Sequence, residues 1–200
     1  MKTLELFEAE AKRWPKAQGR ETPPTKEMIR WLTKFTNSNV SGYVPYDDKN
    51  YWVDEKDGRL CAYQTTSLYF RKVTDLFLPP FKMKEAGWVG FDNTCEFTDF
   101  SWLPEKMSTL VFLNSKVKTL KGIHKYVKEV KELYIGKYVK NGLLDVARIQ
   151  NVGVIRNNVL KSEDHALFGA IKLLQKCKKE NLDVLDIQDA FIDAKMEKFL

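Results

Sequence analysis

The sequence predicts an α+β protein: an N-terminal helix and small antiparallel sheet, a short irregular leucine-rich-repeat-like β-solenoid, and a C-terminal helical cap. Three observations lead there. Phe91 and Asn93 of Trp88-Val-Gly-Phe91-Asp-Asn93 recur 21 positions later as Phe112 and Asn114. The stretch Phe100-Ser-Trp-Leu103-Pro104-Glu-Lys-Met107 is echoed 20 positions later by Leu120-Lys-Gly-Ile123-His124-Lys-Tyr-Val127. An apolar skeleton with a period near 20 residues is the mark of stacked solenoid coils. Beyond the repeats, apolar residues return to helical spacing.

The elements follow in order. Residues 1–24 read as a leader and linker: Leu4, Phe7 and Ala11 share one helical face, then Pro15, Pro23 and Pro24 interrupt. Residues 25–80 read as a helix plus β cap. Thr25 suits a helix N-cap ahead of Met28, Ile29, Leu32 and Phe35. From Tyr43 to Tyr63 the residues favour strands, with turns at Asp47–Asn50 and at Asp57-Gly58, the latter a strong hairpin signal. Leu68, Phe70, Val73, Leu76, Phe77 and Leu78 continue the apolar material.

Residues 81–160 form the repeat region. Its expected inward set is Leu110, Leu113, Val117, Leu120, Ile123, Val127, Val130, Leu133 and Ile135. Gly142-Leu143-Leu144, then Ile149, Val152, Val154 and Ile155, read as two further coils. Residues 161–200 read as the cap, since an open solenoid end needs covering. Ser162 is the expected cap of a first helix with Leu167, Ala170, Ile171, Leu174 and Cys177 on one stripe. Asn181 or Asp183 starts a second, with Leu185, Gln188, Phe191, Ile192 and Phe199.

Composition places the chain among ordinary globular proteins: 44% hydrophobic, 30% charged and 12% aromatic over 200 residues. The formal net charge is +6, which admits acidic partners or nucleic acid, but Lys and Glu are interspersed as on a solvated mixed-charge surface. Nucleic acid is therefore a possible but not the favoured partner. Cys61, Cys95 and Cys177 form no paired motif and fit reduced thiols. No apolar run reaches membrane-spanning length, so no membrane partner is expected.

The sequence holds no constellation that specifies catalysis, and no cofactor or metal is expected. His124 and His165 lack the converging partners of a zinc site, His124 reading instead as a turn residue and His165 as solvated. Gly136, Gly142 and Gly153 are too far apart for a phosphate loop. Asp54-Glu55-Lys56 has the wrong spacing for a nuclease motif and runs into the Asp57-Gly58 turn. Asp183, Asp186, Asp189 and Asp193 share a helix face, either solvated or open to a cation or basic partner. The expected function is thus binding. Trp88, Trp102, Tyr51 and Trp52 are the candidate partner-binding residues, because large aromatics dominate interface hot spots. Trp88 and Trp102 suit the solenoid core equally well.

Ile29-Arg-Trp31-Leu32, the hairpin, Leu78-Pro79-Pro80-Phe81, Gly87-Trp-Val-Gly90-Phe91, Leu120-Lys-Gly-Ile123-His124-Lys125 with Gly142-Leu143-Leu144, and the tail from Asp183 to Ala194 together resemble leucine-rich-repeat-like proteins of T-even-type tailed bacteriophages. The likeness covers about residues 26–200. It implies the fold and a viral origin, for a family whose members mostly have no assigned activity. The repeat scaffold without a catalytic constellation then leads to the expectation of a protein-binding accessory protein that inhibits or redirects a host protein, such as a defence factor, in the host cytoplasm. Met1-Lys2-Thr3, Phe7 and Ala9-Glu10-Ala11 are similar to the leaders of phage internal head proteins. That resemblance implies cleavage at Leu6-Phe7-Glu8 or after Glu10, and residence in the virion before injection. An unprocessed amphipathic helix is the other reading of the same residues.

Overall fold

The computed structural model describes residues 24–36, 51–62, 67–157, 159, 161 and 163–200. The expected leader with its processing residues Leu6, Phe7, Glu8 and Glu10 lies outside the described residues, as do Trp14, Tyr43, Tyr46, the Asp47–Asn50 turn, Tyr63 and Ser162.

Helix α1, Lys26–Phe35, begins where the sequence places it: Thr25 Oγ1 accepts a hydrogen bond from Met28 N at 3.2 Å. Its apolar stripe of Met28 and Leu32 joins the core, while Trp31 stacks on Phe35 with ring centroids 4.4 Å apart. A hairpin follows, β1 Tyr51–Val53 antiparallel to β2 Leu60–Ala62. Its turn is closed by Gly58 N donating to Asp54 O at 2.8 Å.

Next come β3 Ser67–Phe70, β4 Met83–Phe91, β5 Lys106–Val111, β6 Glu129–Ile135 and β7 Asn151–Asn157. All five pair in parallel, building a β-solenoid of about four turns. A parallel strand can be reached only through a long crossover, and each coil's turns supply it. The hairpin is not a separate sheet. β2 pairs in parallel with the start of β4, and β3 with its end, so one seven-stranded sheet runs through the molecule. The solenoid therefore already begins at Ser67.

The register states the period. Leu68, Val89, Leu110, Leu133 and Ile155 pair in turn, at steps of 21, 21, 23 and 22 residues, and all five are buried. The first half of the sequence echo is in register. The second half is not: Met107 pairs with Val130, not Val127. The coil between β5 and β6 is two residues longer and holds the 3-10 turn Ile123–Lys125. Aromatic rings fill the core beside β3, β4 and β5. Phe70 stacks on Phe91 and Phe91 on Phe112, and Trp102 meets both Phe70 and Phe91 edge-on.

The expected inward set is buried except Leu113, which is half-buried because its neighbour Phe112 takes the inward position. Two further expectations are corrected. Val154 is 45% exposed, since alternation along β7 turns Ile155 inward and Val154 outward. Leu76 and Phe77 are 87% and 58% exposed at the tip of a turn, where Phe77 N donates to Thr74 O. Asp75 clamps that turn by accepting from Thr98 N at 2.7 Å and Asp99 N at 3.2 Å.

Successive coils are tied by side chains as well as backbone. Asp145, in the short helix α2 Leu143–Ala147, accepts from Gly122 N at 2.8 Å on the preceding coil, and its other oxygen lies 3.0 Å from His124 Nδ1. His124 is a turn residue, as expected. The chain ends in α3 His165–Lys179, α4 Val184–Asp193 and a 3-10 turn at Glu197–Phe199. Asp164, not Ser162, caps α3, accepting from Leu167 N at 2.9 Å; Asp183 caps α4. Leu167, Ala170, Ile171, Leu174, Cys177, Ile187 and Phe191 seal the end of the core. Cys61, Cys95 and Cys177 are buried free thiols, and desolvation pushes Cys61 up to about 11 and Cys95 up to about 12. No helix among the described residues is long and apolar enough to cross a membrane.

Candidate functional site

A parallel strand alternates its side chains between core and solvent. Stacked coils therefore carry their outward residues in columns across one face of the sheet. Two columns matter. One runs Ser67, Trp88, Thr109, Glu132, Val154; the other Tyr69, Gly90, Val111, Tyr134, Arg156.

Toward the β3–β4 end the two columns are aromatic and uncharged, with Ser67, Trp88, Tyr69 and Gly90. The half-exposed Trp88 and Tyr69 rings stack with centroids 5.8 Å apart and planes 28° apart. Trp88 leans over Gly90 so closely that an added Cβ there would lie 2.2 Å from the indole. Glycine at this position is what lets the indole settle on the sheet. Asn114 Nδ2 donates to the Tyr69 hydroxyl at 3.4 Å, anchoring the outer ring. Trp88 is thus held from two sides while one side stays open.

At the β6–β7 end the face is polar. Arg156 donates to Glu132 at 3.1 Å and the Tyr134 hydroxyl donates to its other oxygen at 2.9 Å. Arg156 first, and then Tyr134, hold the Glu132 carboxyl below its ordinary value. A third column alternates Glu85, Lys106, Glu129, Asn151 along the strand starts. Charges of both signs balance across the face.

Of the four aromatics picked from the sequence, only Trp88 is on this face. Trp102 is buried beneath it among Phe70, Phe91 and Phe97, and its indole N–H donates to Asp99 O at 2.9 Å. Tyr51 and Trp52 are buried in β1, and Tyr51 joins the core. All three of these rings are buried. The structure brings Trp88 together instead with Tyr69, while Tyr134 stands on the same face beside Glu132 and Arg156; the sequence reading passed over both tyrosines. The signal for them was available: once the inward ladder Leu68–Leu133 is registered, the residues one position later must point outward.

Asp54, Glu55 and Lys56 sit in the hairpin turn, as expected. Lys84 binds Asp54 at 2.5 Å and lies 3.4 Å from Asp57; Arg59 bridges Asp57 at 2.7 Å and Glu105 at 2.6 Å. This cluster fastens the hairpin to β4 and β5. Among the described residues, no three His, Cys, Asp or Glu side chains converge to hold a metal ion. On α4, Asp183 is consumed as the cap, while Asp186, Asp189 and Asp193 are exposed.

No protein-family model, curated protein or solved structure matches this chain.

Proposed function

We propose that the chain is a phage-encoded accessory protein that works as a non-enzymatic protein-binding module. Its target is a host protein, such as a defence factor that it inhibits or redirects in the host cytoplasm. The observation that carries this reading is the pinned, half-exposed Trp88 beside Tyr69 on an otherwise charge-balanced sheet face. A rigid indole is the kind of residue that anchors interfaces, because little side-chain entropy remains to be lost on contact. The phage assignment rests on the motif resemblance alone.

The test is capture of a stoichiometric partner from host lysate with the intact folded chain. Trp88→Ala is expected to weaken that complex by about 2 kcal/mol, the hot-spot scale. Gly90→Ala keeps the indole but displaces it, and should weaken binding in the same direction. Unchanged affinity in both variants overturns the reading. The second reading, a DNA-associated internal head protein, is favoured by the +6 net charge. It requires retention on DNA that falls steeply with salt. Absence of retention at low salt removes it.

A further inference from the structure

Helix α4 buries one side and leaves the other bare. Ile187 and Phe191 face the core, and the helix packs on α2, α3 and the closing 3-10 turn. On the opposite side Leu185 is 70% exposed and Ile192 43%. Seven residues apart, they stand two turns along one strip. Asp189 and Asp193, four apart, form a second strip beside it, with Asp186 three before Asp189; all three are exposed.

Helix chemistry accounts for only part of this pattern. Asp183 is the N-cap and Asp186 lies in the first turn, where the positive end of the helix dipole favours an acid. Asp193 closes the last turn, where the dipole opposes an acid, and no base accompanies it there. Residues 183–193 hold four acids and no base, in a chain whose formal net charge is +6. Cations on the elements around α4 are engaged elsewhere: Arg148 with Asp145, Lys172 over the Phe168 ring, Lys176 beside Glu180 and Lys198 over the Phe199 ring. Among the described residues, none forms an ion pair with Asp186, Asp189 or Asp193.

These charges decide what can cover the apolar strip. A second copy pairing antiparallel through Leu185 and Ile192 sets Asp189 against its own mate near the two-fold axis. Nucleic acid and an anionic lipid surface are repelled by the same acids. We infer that the outer face of α4 docks a basic amphipathic helix of a partner protein. The apolar side of that helix covers Leu185 and Ile192, and its lysines or arginines pair with Asp189 and Asp193. Apolar contact gives the hold, and the charge pairs fix register and reject acidic helices. The inference rests on the protein-binding reading above and names a second contact for it, away from Trp88.

The probe is an acetylated four-turn peptide of lysine and leucine, its leucines on one helical face, titrated into the isotopically labelled full chain. Amide shifts are expected in α4. Leu185→Gln with Ile192→Gln, at two exposed positions, should weaken binding by about tenfold or more. Asp189→Lys with Asp193→Lys should do the same and admit the matching glutamate–leucine peptide. Asp189→Asn, which removes the charge and keeps the shape, should weaken binding in the same direction. Shifts centred outside α4, equal binding of both peptides, or indifference to either double variant overturns the inference. So does self-association through α4, or a short oligothymidylate or an anionic phospholipid vesicle that produces the same α4 shifts. Trp88→Ala leaves peptide binding unchanged if the inference holds, so failure here and failure of the Trp88 interface are told apart.

Discussion

Phe91 and Phe112 stack with ring centroids 5.3 Å apart and planes 22° apart, one on each of two adjacent coils. Phe70 extends the stack from the coil before, at 5.9 Å from Phe91. Parallel strands in register superimpose equivalent residues, so a 21-residue period in the sequence becomes a column of rings in space. Offset stacking adds to the burial of large apolar surface.

The middle ring is the one whose loss leaves a cavity closed on both sides. Phe91→Ala should cost about 3–5 kcal/mol, the range for buried aromatic truncation. Phe77→Ala, removing a ring that is 58% exposed at a turn tip, should stay within about 0.5 kcal/mol. Urea unfolding of the two variants checks the contrast; similar losses would refute the column as the centre of the core.

Gly142 is held at φ 92°, where side-chain-bearing residues rarely go, and a Cβ there would lie 2.4 Å from Lys121 N and 2.5 Å from Leu120 C. Both contacts are backbone of the preceding coil and cannot rotate away. Gly142→Ala therefore combines strain of about 1–3 kcal/mol with separation of two coils. Thermal unfolding should show a loss larger than strain alone predicts, and a shift below about 1 kcal/mol would contradict the close packing.

The hairpin cluster makes stability depend on acid. Hydrogen bonding from Arg59 brings the Asp57 carboxyl down from 3.8 to about 2, and Lys84 lowers Asp54. Both groups titrate lower in the folded chain than in the unfolded one. Their contribution is complete above the unfolded value and is lost as pH falls through the folded value. The urea midpoint should therefore decline between about pH 4 and pH 2, with a shallower decline in Asp57→Asn. Both aspartates are solvent-accessible, so added salt should reduce the effect.

How far the site was legible can be traced through particular residues. Helix α1, the Asp57-Gly58 turn and the Phe91/Phe112 repeat are local signals, and each is realised where the sequence placed it. The cap of α3 was misplaced by two residues, at Ser162 instead of Asp164, because both residue types cap helices well. The echo slipped at Met107 because a longer coil between β5 and β6 changes the period without changing residue type. Tryptophans were the hardest to place. Trp88 and Trp102 are equally apolar, and only strand pairing decides that one faces solvent and the other the core.

That the chain coils follows from its periodicity alone. Apolar residues recurring 20 to 21 positions apart are buried together when strands stack in parallel, and the helical tail supplies an amphipathic stripe to close the end. Which face is outward, that Trp88 is pinned between Tyr69 and Gly90, and that α3 lies against β7 through Gln175 follow only from how the coils pack. The physical reason is register. A one-residue shift exchanges the two faces of a strand, and register is set by contacts between residues far apart in the chain.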